Sequence, residues 1–422
     1  MKELLKVEGL RIYAGGRPVT LVESLDVGEG EVVLVTGPSG SGKTSFLRCI
    51  AEVNDIFGIT CSGYMALGID RDELSYIPQE PWFGMASPYP ILEVRSFSNA
   101  DDYSVRRYAK LFNVEHILES NSMDLSAGEI QRILFIESVL SRSKLVLVDE
   151  VTAYLDEESR KQLVNVVEEM RSEFGVAFIV VDHDVELWSR HIDKVLYLEP
   201  TSSSRIYYNV DETPLMAGMD RLRAEVEELS RELAEKVGGE PILKLYNVWF
   251  RYPDSTDFVI KGVNIDVKRS EMMVIRGPSG KGKSTLLKIM ADIYRPKKGV
   301  VLRYAKDIQY IPENPLLYLS EPTPRDELMK NTDLAVKSNL IRVLDTPIMR
   351  LSSGEKRRLA VASALARGSD LILLDEPSVG LDAENFISIL KLLIEAVSRG
   401  VSIVTATHSR LLSSVTRSVV QL

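Results

Sequence analysis

Two stretches of this sequence carry residue types that handle phosphate. Gly37-Pro38-Ser39-Gly40-Ser41-Gly42-Lys43-Thr44 and Gly277-Pro278-Ser279-Gly280-Lys281-Gly282-Lys283-Ser284 both follow the pattern G-x-x-x-x-G-K-[ST]. Glycines at 37, 40 and 42, and again at 277, 280 and 282, let backbone N–H groups wrap a polyphosphate, and a helix opening at the lysine adds its positive end. Lys43 and Lys283 bring a mobile cation, while Thr44 and Ser284 offer a hydroxyl to Mg²⁺. Ser39 and Ser279 within the loops, and Ser45 and Thr285 just beyond them, complete the predicted cradles. A glycine turn beside a surface lysine is the bland alternative, but two such matches, each after an apolar strand, argue against it.

Further along, Leu145-Val146-Leu147-Val148-Asp149-Glu150 and Leu371-Ile372-Leu373-Leu374-Asp375-Glu376 end apolar runs in paired acids. A carboxylate at the end of a buried strand is costly without a cation, and Mg²⁺ on a neighbouring nucleotide supplies one for Asp149 and Asp375. Glu150 and Glu376, one residue on and differently aimed, suit a general base that polarises water. Each copy then has an apolar strand leading to a histidine, His183 or His408, able to hydrogen-bond a γ-phosphate and the base. A lone histidine at a strand end is more often structural. Recurrence at one offset, in a chain with four histidines, favours function.

These motifs lie on a chain written twice. The loop lysines are 240 residues apart, the middle motifs around 79 and 313 are 234 apart, and Ser126 and Ser352 are 226 apart. The second copy is therefore shorter, with the loss confined to its middle. Apolar runs before each loop and each Asp-Glu pair read as buried parallel strands alternating with helices, an α/β plan. The predicted layout is a first domain over 1–200, a linker over 201–240 and a second domain over 241–422. In the linker, Pro200–Ala217 reads as loop. Met219–Val237 then places Leu222, Val226, Leu229, Leu233 and Val237 on one helical face, ended by Gly238-Gly239. A helix packed on a domain is the expected role; it is too short for a coiled coil.

The length of 422 residues suits two domains, and 45% hydrophobic with 27% charged residues suits globular ones. No apolar run approaches the ~20 residues of a membrane-spanning helix, and the N-terminal residues lack a secretory pattern. Cys49 and Cys61 are too few for a disulfide framework, a zinc site or an iron–sulfur cluster, so a reduced, cytoplasmic setting is expected. A net charge of −10 argues against general nucleic-acid binding.

The order of phosphate loop, Gln79, Leu125-Ser126-Ala127-Gly128-Glu129, Asp-Glu strand, Leu155-Asp156 and His resembles the ATP-binding-cassette (ABC) ATPases. The second copy repeats it with Glu313, Leu351-Ser352-Ser353-Gly354-Glu355 and Leu381-Asp382, so the resemblance spans nearly the whole chain twice. It implies two tandem P-loop NTPase domains of α/β class, each with a small helical subdomain, forming a head-to-tail pseudo-dimer. Each ATP, with its Mg²⁺, would lie between the phosphate loop of one domain and the signature of the other. Site one would join Lys43, Gln79, Asp149, Glu150 and His183 to Ser352 and Gly354. Site two would join Lys283, Glu313, Asp375, Glu376 and His408 to Ser126 and Gly128. Thr44, Gln79 and Asp149, and Ser284, Glu313 and Asp375, are the implied metal ligands. Tyr13 and Tyr252 stand where the family stacks an aromatic ring on adenine.

Three departures qualify the resemblance. Glu313 replaces the family glutamine, adding charge beside a triphosphate, so site two is expected to be the slower. Ala127 and Ser353 replace the first signature glycine. The stretch from the Gln79 or Glu313 loop to the signature is shorter in the second copy, so the surfaces that dock a membrane subunit should differ. The resemblance implies ATP hydrolysis energising transport through a separate transmembrane subunit, with the chain on the inner face of the plasma membrane. Within transport it is similar to the ATPase component of energy-coupling-factor importers. Action on ribosomes is the alternative, and action on DNA a weaker one, since neither a long coiled-coil insertion nor zinc-binding cysteine pairs are present.

Overall fold

Val32–Thr36, Leu145–Asp149 and Ala177–Val181 are buried along their whole length, as strands covered on both faces must be. The computed structural model describes residues 2–38, 40–79, 81–155, 157–182, 184–234, 239–253, 255–278, 280–379, 381 and 383–422. The chain forms two units, Met1–Met216 and Ala217–Leu422.

In the first unit, among the described residues, a six-stranded sheet runs Leu74–Ile77, Leu145–Asp149, Ala177–Val181, Val32–Thr36, Lys194–Tyr197 and Arg205–Tyr207. All neighbours pair in parallel except the last two strands. Alternate residues serve two cores. Val33, Val35, Leu147 and Ile179 pack with Phe46 and Leu47 of the helix Lys43–Ile50 and with an antiparallel layer of Arg17–Gly28, Glu3–Ala14 and Ile59–Leu67. Val32, Leu34, Val146 and Phe178 face the helices Ala127–Leu140 and Glu157–Phe174.

The second unit repeats this plan. Ile308–Ile311, Leu371–Asp375, Ser402–Thr407, Met272–Arg276 and Val419–Gln421 form a parallel sheet, with an antiparallel layer of Ile260–Lys268, Pro241–Phe250 and Lys298–Arg303. Part of the shortening precedes Glu313, where the short turns Asn54–Phe57 and Arg71–Glu73 of the first unit have no counterpart among the described residues, and the rest lies in the helical subdomain. Pro90–Ser98 and Asp102–Leu111 of the first unit give way to the single turn Pro324–Glu327 and to Thr332–Lys337.

The helix Pro214–Ala234 buries Leu222, Val226, Leu229 and Leu233 in the second unit's core beside the helix Ala383–Ser398. Lys391 bonds Glu225 at 2.7 Å across that contact. Val237 and Gly238 lie outside the described residues.

Two expectations are corrected. Pro200–Ala217 is not all loop: Arg205–Tyr207 is the last strand of the first unit's sheet, and the following helix begins at Pro214 rather than Met219. Cys49 and Cys61 are joined as a disulfide, not left as reduced thiols, with Cα atoms 6.2 Å apart. Cys49 sits in the last turn of Lys43–Ile50, and Cys61 lies on the strand Ile59–Leu67 against which that helix packs. Counting cysteines could not reveal that the helix and strand bring this pair together.

Candidate active sites

The parallel sheets deliver the chemistry-bearing residues to the carboxyl ends of adjacent strands, where open α/β sheets bind ligands. Val32–Thr36 runs into the Gly37–Thr44 loop, Leu145–Asp149 ends at Asp149 and Glu150, and Ala177–Val181 leads to position 183. In the second unit the corresponding strands end at Gly277–Ser284, at Asp375 and Glu376, and at His408.

Each loop has the geometry that its glycines predict. Gly42 and Gly282 are left-handed, with φ of 89° and 87°. A Cβ on Gly42 would lie 2.8 Å from Val19, and one on Gly282 2.7 Å from Val259, so larger residues are excluded there. Gly37, Gly40, Gly277 and Gly280 complete the turns, while Ser39 and Ser279 lie outside the described residues. Lys43 folds over its loop and donates to the carbonyls of Gly37 (2.8 Å) and Pro38 (3.1 Å). Lys283 donates to Gly277 (2.9 Å) and Pro278 (3.1 Å). Thr44 and Ser45, and Ser284 and Thr285, open the helices Lys43–Ile50 and Lys283–Met290.

Asp149 is fully buried; Thr44 donates to its Oδ1 at 3.0 Å and Tyr76 to its Oδ2 at 3.1 Å. Burial pushes Asp149 up to about 7, and the charge of Glu150 adds to this. Asp375 is pushed up by burial to about 6. Tyr310 donates to its Oδ2 at 3.0 Å, while its buried Oδ1 has no hydrogen-bond partner among the described residues. An orphaned carboxylate oxygen beside a phosphate loop fits a divalent cation.

Glu150 and Glu376 are buried and adopt left-handed backbone, with φ of 52° and 47°. Non-glycine residues hold this conformation only when their surroundings require it. Here the N–H of each still bonds the adjacent strand, Glu150 to Val181 and Glu376 to Ala406, both at 2.9 Å. The chain turns immediately afterwards, so the glutamate is aimed away from its neighbouring aspartate. Gln79 donates its amide to Glu150. In the second unit Glu376 Oε1 lies 3.0 Å from His408 Nδ1 and 3.5 Å from Lys283 Nζ. Burial pushes Glu376 up, but His408 and Lys283 outweigh it and hold the carboxyl below its ordinary value. His183 lies outside the described residues, as do Asp156 and Asp382.

Glu313 occupies the place of Gln79. Burial pushes it up to about 8, with Asp375 and Glu376 adding to the shift. In the metal-free protein at neutral pH it therefore retains a proton and can donate, as an amide does. This tempers the expectation of a full extra charge.

The signatures form helix starts. Ser126 and Ser352 are exposed N-caps of Ala127–Leu140 and Ser353–Ala366, each in a capping box with Glu129 or Glu355. Gly128 and Gly354 are buried, and a Cβ on Gly354 would press on Asn385 at 3.2 Å. Tyr252 is 38% exposed, its ring edge-on to Phe250 and Tyr294 and its hydroxyl 2.8 Å from Thr285 Oγ1. Tyr13 is partly buried on the strand Glu3–Ala14.

Sequence reasoning assigned no role to Tyr76 and Tyr310, although both copies place a Tyr-Ile-Pro triplet there. It also missed Arg357, whose guanidinium donates to the Glu376 carbonyl at 2.8 Å.

Fold and sites define a phosphate-loop ATPase with two nucleotide-binding units in one chain. A family model described as ABC transporter matches residues 22–153 and 260–379, and the chain belongs to that family. A relative from Streptococcus pneumoniae serotype 4, provisionally named an ABC transporter ATP-binding protein, is 25% identical over 464 residues, covering 91% of this chain and 82% of the relative. A Bacillus subtilis relative provisionally named the HMP/thiamine import ATP-binding protein YkoD is 23% identical, covering 100% of this chain and 90% of its own. Among solved structures, the RNase-L inhibitor aligns with a TM-score of 0.64 at 21% identity, over 97% of this chain and 87% of that one. The archaeal ribosome recycling factor aABCE1, in complex with stalk protein aP1, aligns with a TM-score of 0.63 at 21% identity, over 95% and 85%. At that identity the likeness is one of fold. No helix among the described residues is long and apolar enough to cross a membrane.

Proposed function

We propose that this ATPase works with Mg²⁺ at two sites and energises transport through a separate membrane subunit. The observation that carries the catalytic part is the duplicated constellation of loop lysine, hydroxyl, buried aspartate and left-handed glutamate. Thr44, Asp149 and Gln79, and Ser284, Asp375 and Glu313, would hold the cation, which when bound neutralises phosphate charge and supports the leaving group. Lys43 and Lys283 move from loop carbonyls to phosphate oxygens. Glu150 and Glu376 accept the proton of the attacking water, and His408 orients the second of them. His183 is proposed for the same task in the first unit. Tyr13 and Tyr252 provide adenine platforms, and Ser126, Gly128, Ser352 and Gly354 offer helix starts that can take phosphate.

The transport reading is supported by the names of the relatives matched along nearly the whole chain, importers and transporter ATPases. Energy-coupling-factor-type import remains the finer proposal. The ribosomal alternative draws on the two fold neighbours. Those neighbours are 21% identical to this chain and support the fold alone, which leaves the transport reading the better supported. Purification from native membranes tests the choice. A polytopic protein should follow the chain, and co-sedimentation with ribosomes instead would overturn the transport reading.

A further inference from the structure

We propose that Tyr76 and Tyr310 are positioning residues of the metal sites, each fixing one oxygen of the aspartate carboxylate so that the other faces the cation. This rests on the reading of Asp149 and Asp375 as metal ligands. The same contact occurs in both units. Tyr76 donates to Oδ2 of Asp149 at 3.1 Å, and Tyr310 donates to Oδ2 of Asp375 at 3.0 Å.

The sheet sets this geometry. Leu74–Ile77 pairs in parallel with Leu145–Asp149, Tyr76 opposite Leu147, so its ring reaches the strand end where the aspartate sits. Ile308–Ile311 and Leu371–Asp375 repeat the register, with Tyr310 opposite Leu373. Both rings pack against the apolar cores beneath the phosphate loops, which limits their freedom.

The remaining oxygen is the informative one. In the first unit Oδ1 meets the hydroxyl of Thr44, itself a proposed ligand. In the second, Oδ1 is buried and unpartnered among the described residues. Were the tyrosines only there to satisfy a buried carboxylate, they would leave the energetically demanding oxygen unserved. A donor that locks one oxygen and leaves its twin to a proposed ligand in the first unit, or without a partner in the second, is the arrangement of an outer-layer metal partner, whose loss typically weakens metal affinity about 10–100-fold.

The test uses the full chain with a non-hydrolysable ATP analogue and Mn²⁺, following free Mn²⁺ by electron paramagnetic resonance. Tyr76→Phe/Tyr310→Phe should weaken Mn²⁺ binding about 10–100-fold. Affinity for the metal-free analogue and the thermal midpoint should stay near wild type. Each single variant should weaken one of two metal equivalents, which keeps the result readable if the double variant is destabilised. Asp149→Asn/Asp375→Asn is the reference. If that pair loses Mn²⁺ while the tyrosine pair binds it as wild type does, the positioning role is overturned and the ligand reading stands. If the asparagine pair also binds normally, the ligand reading fails and takes the proposal with it.

Discussion

His408 Nδ1 and Lys283 Nζ converge on one oxygen of Glu376, at 3.0 Å and 3.5 Å. Two groups from different loops thus hold an ionised carboxylate at a strand end, where burial alone would favour its neutral form.

Removing His408 should raise the Glu376 pKa, because its charge and hydrogen bond are what oppose burial. In a Glu150→Gln background, which leaves only the second unit's base, His408→Gln should move the acidic limb of single-turnover hydrolysis to higher pH. The rate at pH 6 should fall more than the rate at pH 8. A parallel drop at all pH values would show that His408 acts otherwise than through Glu376.

Glu313 gives the second unit a distinct pH response. With its pKa near 8 it is neutral below that pH and adds a negative charge above it. In the metal-free Glu150→Gln chain, binding of an ATP analogue should weaken relative to Glu150→Gln/Glu313→Gln as pH rises through 8. A tenfold separation requires only ~1.4 kcal/mol, small beside the interaction of close charges at an effective dielectric near 20. Superimposable profiles would mean that Glu313 does not change charge in this range.

The disulfide closes a short loop, with 12 residues of separation, between the phosphate-loop helix and the outer antiparallel layer. A cross-link over so short a loop restricts the unfolded chain by an amount worth about 2–3 kcal/mol. Dithiothreitol, or Cys61→Ser, should lower the denaturant midpoint of the first unit accordingly. An unchanged midpoint after verified reduction would show that the link adds no stability.

Glu137 illustrates how the copies differ below the surface. In the second unit Glu327 is paired with Ser363 at 2.6 Å and Arg367 at 2.8 Å. The first unit has Glu93, Glu137 and Ser141 at those places, and no cation replaces Arg367. Glu137 Oε2 is buried without a partner among the described residues. Burial, and then the charge of Glu93, push Glu137 from 4.5 up to about 8. The folded state then binds this proton more tightly than the unfolded state does, so stability should fall as pH rises from about 4.5 to 8. Glu137→Gln should flatten that decline, raising stability at pH 8 by on the order of 1–3 kcal/mol, the cost of an unmet buried polar group. A variant whose thermal midpoint follows the wild-type pH profile would refute this.

Much of this arrangement was legible in the sequence, because it depends on local spacing. The glycines of the loops, the apolar runs before Asp149 and Asp375, and the 226-residue repeat of the signatures needed no tertiary knowledge. What escaped depends on strand register. Tyr76 reaches Asp149 only because Leu74–Ile77 lies beside Leu145–Asp149. Cys49 meets Cys61 only because a helix crosses a strand. The left-handed turns at Glu150 and Glu376 follow from hydrogen bonds to Val181 and Ala406, residues far along the chain. The sequence suggested that these glutamates were aimed differently from their neighbours, but not the turn that does it.

The central claim is that Glu150 and Glu376 activate water at two nucleotide sites built by the remaining residues. Its most direct test is the Glu150→Gln/Glu376→Gln chain, measured for ATP retention and for phosphate release in the same sample with Mg²⁺ present. Loss of the bases should slow hydrolysis by about 10²–10⁴-fold while the phosphate contacts persist, leaving two unhydrolysed ATP molecules bound per chain. Phosphate release at the wild-type rate from the double variant would contradict the account.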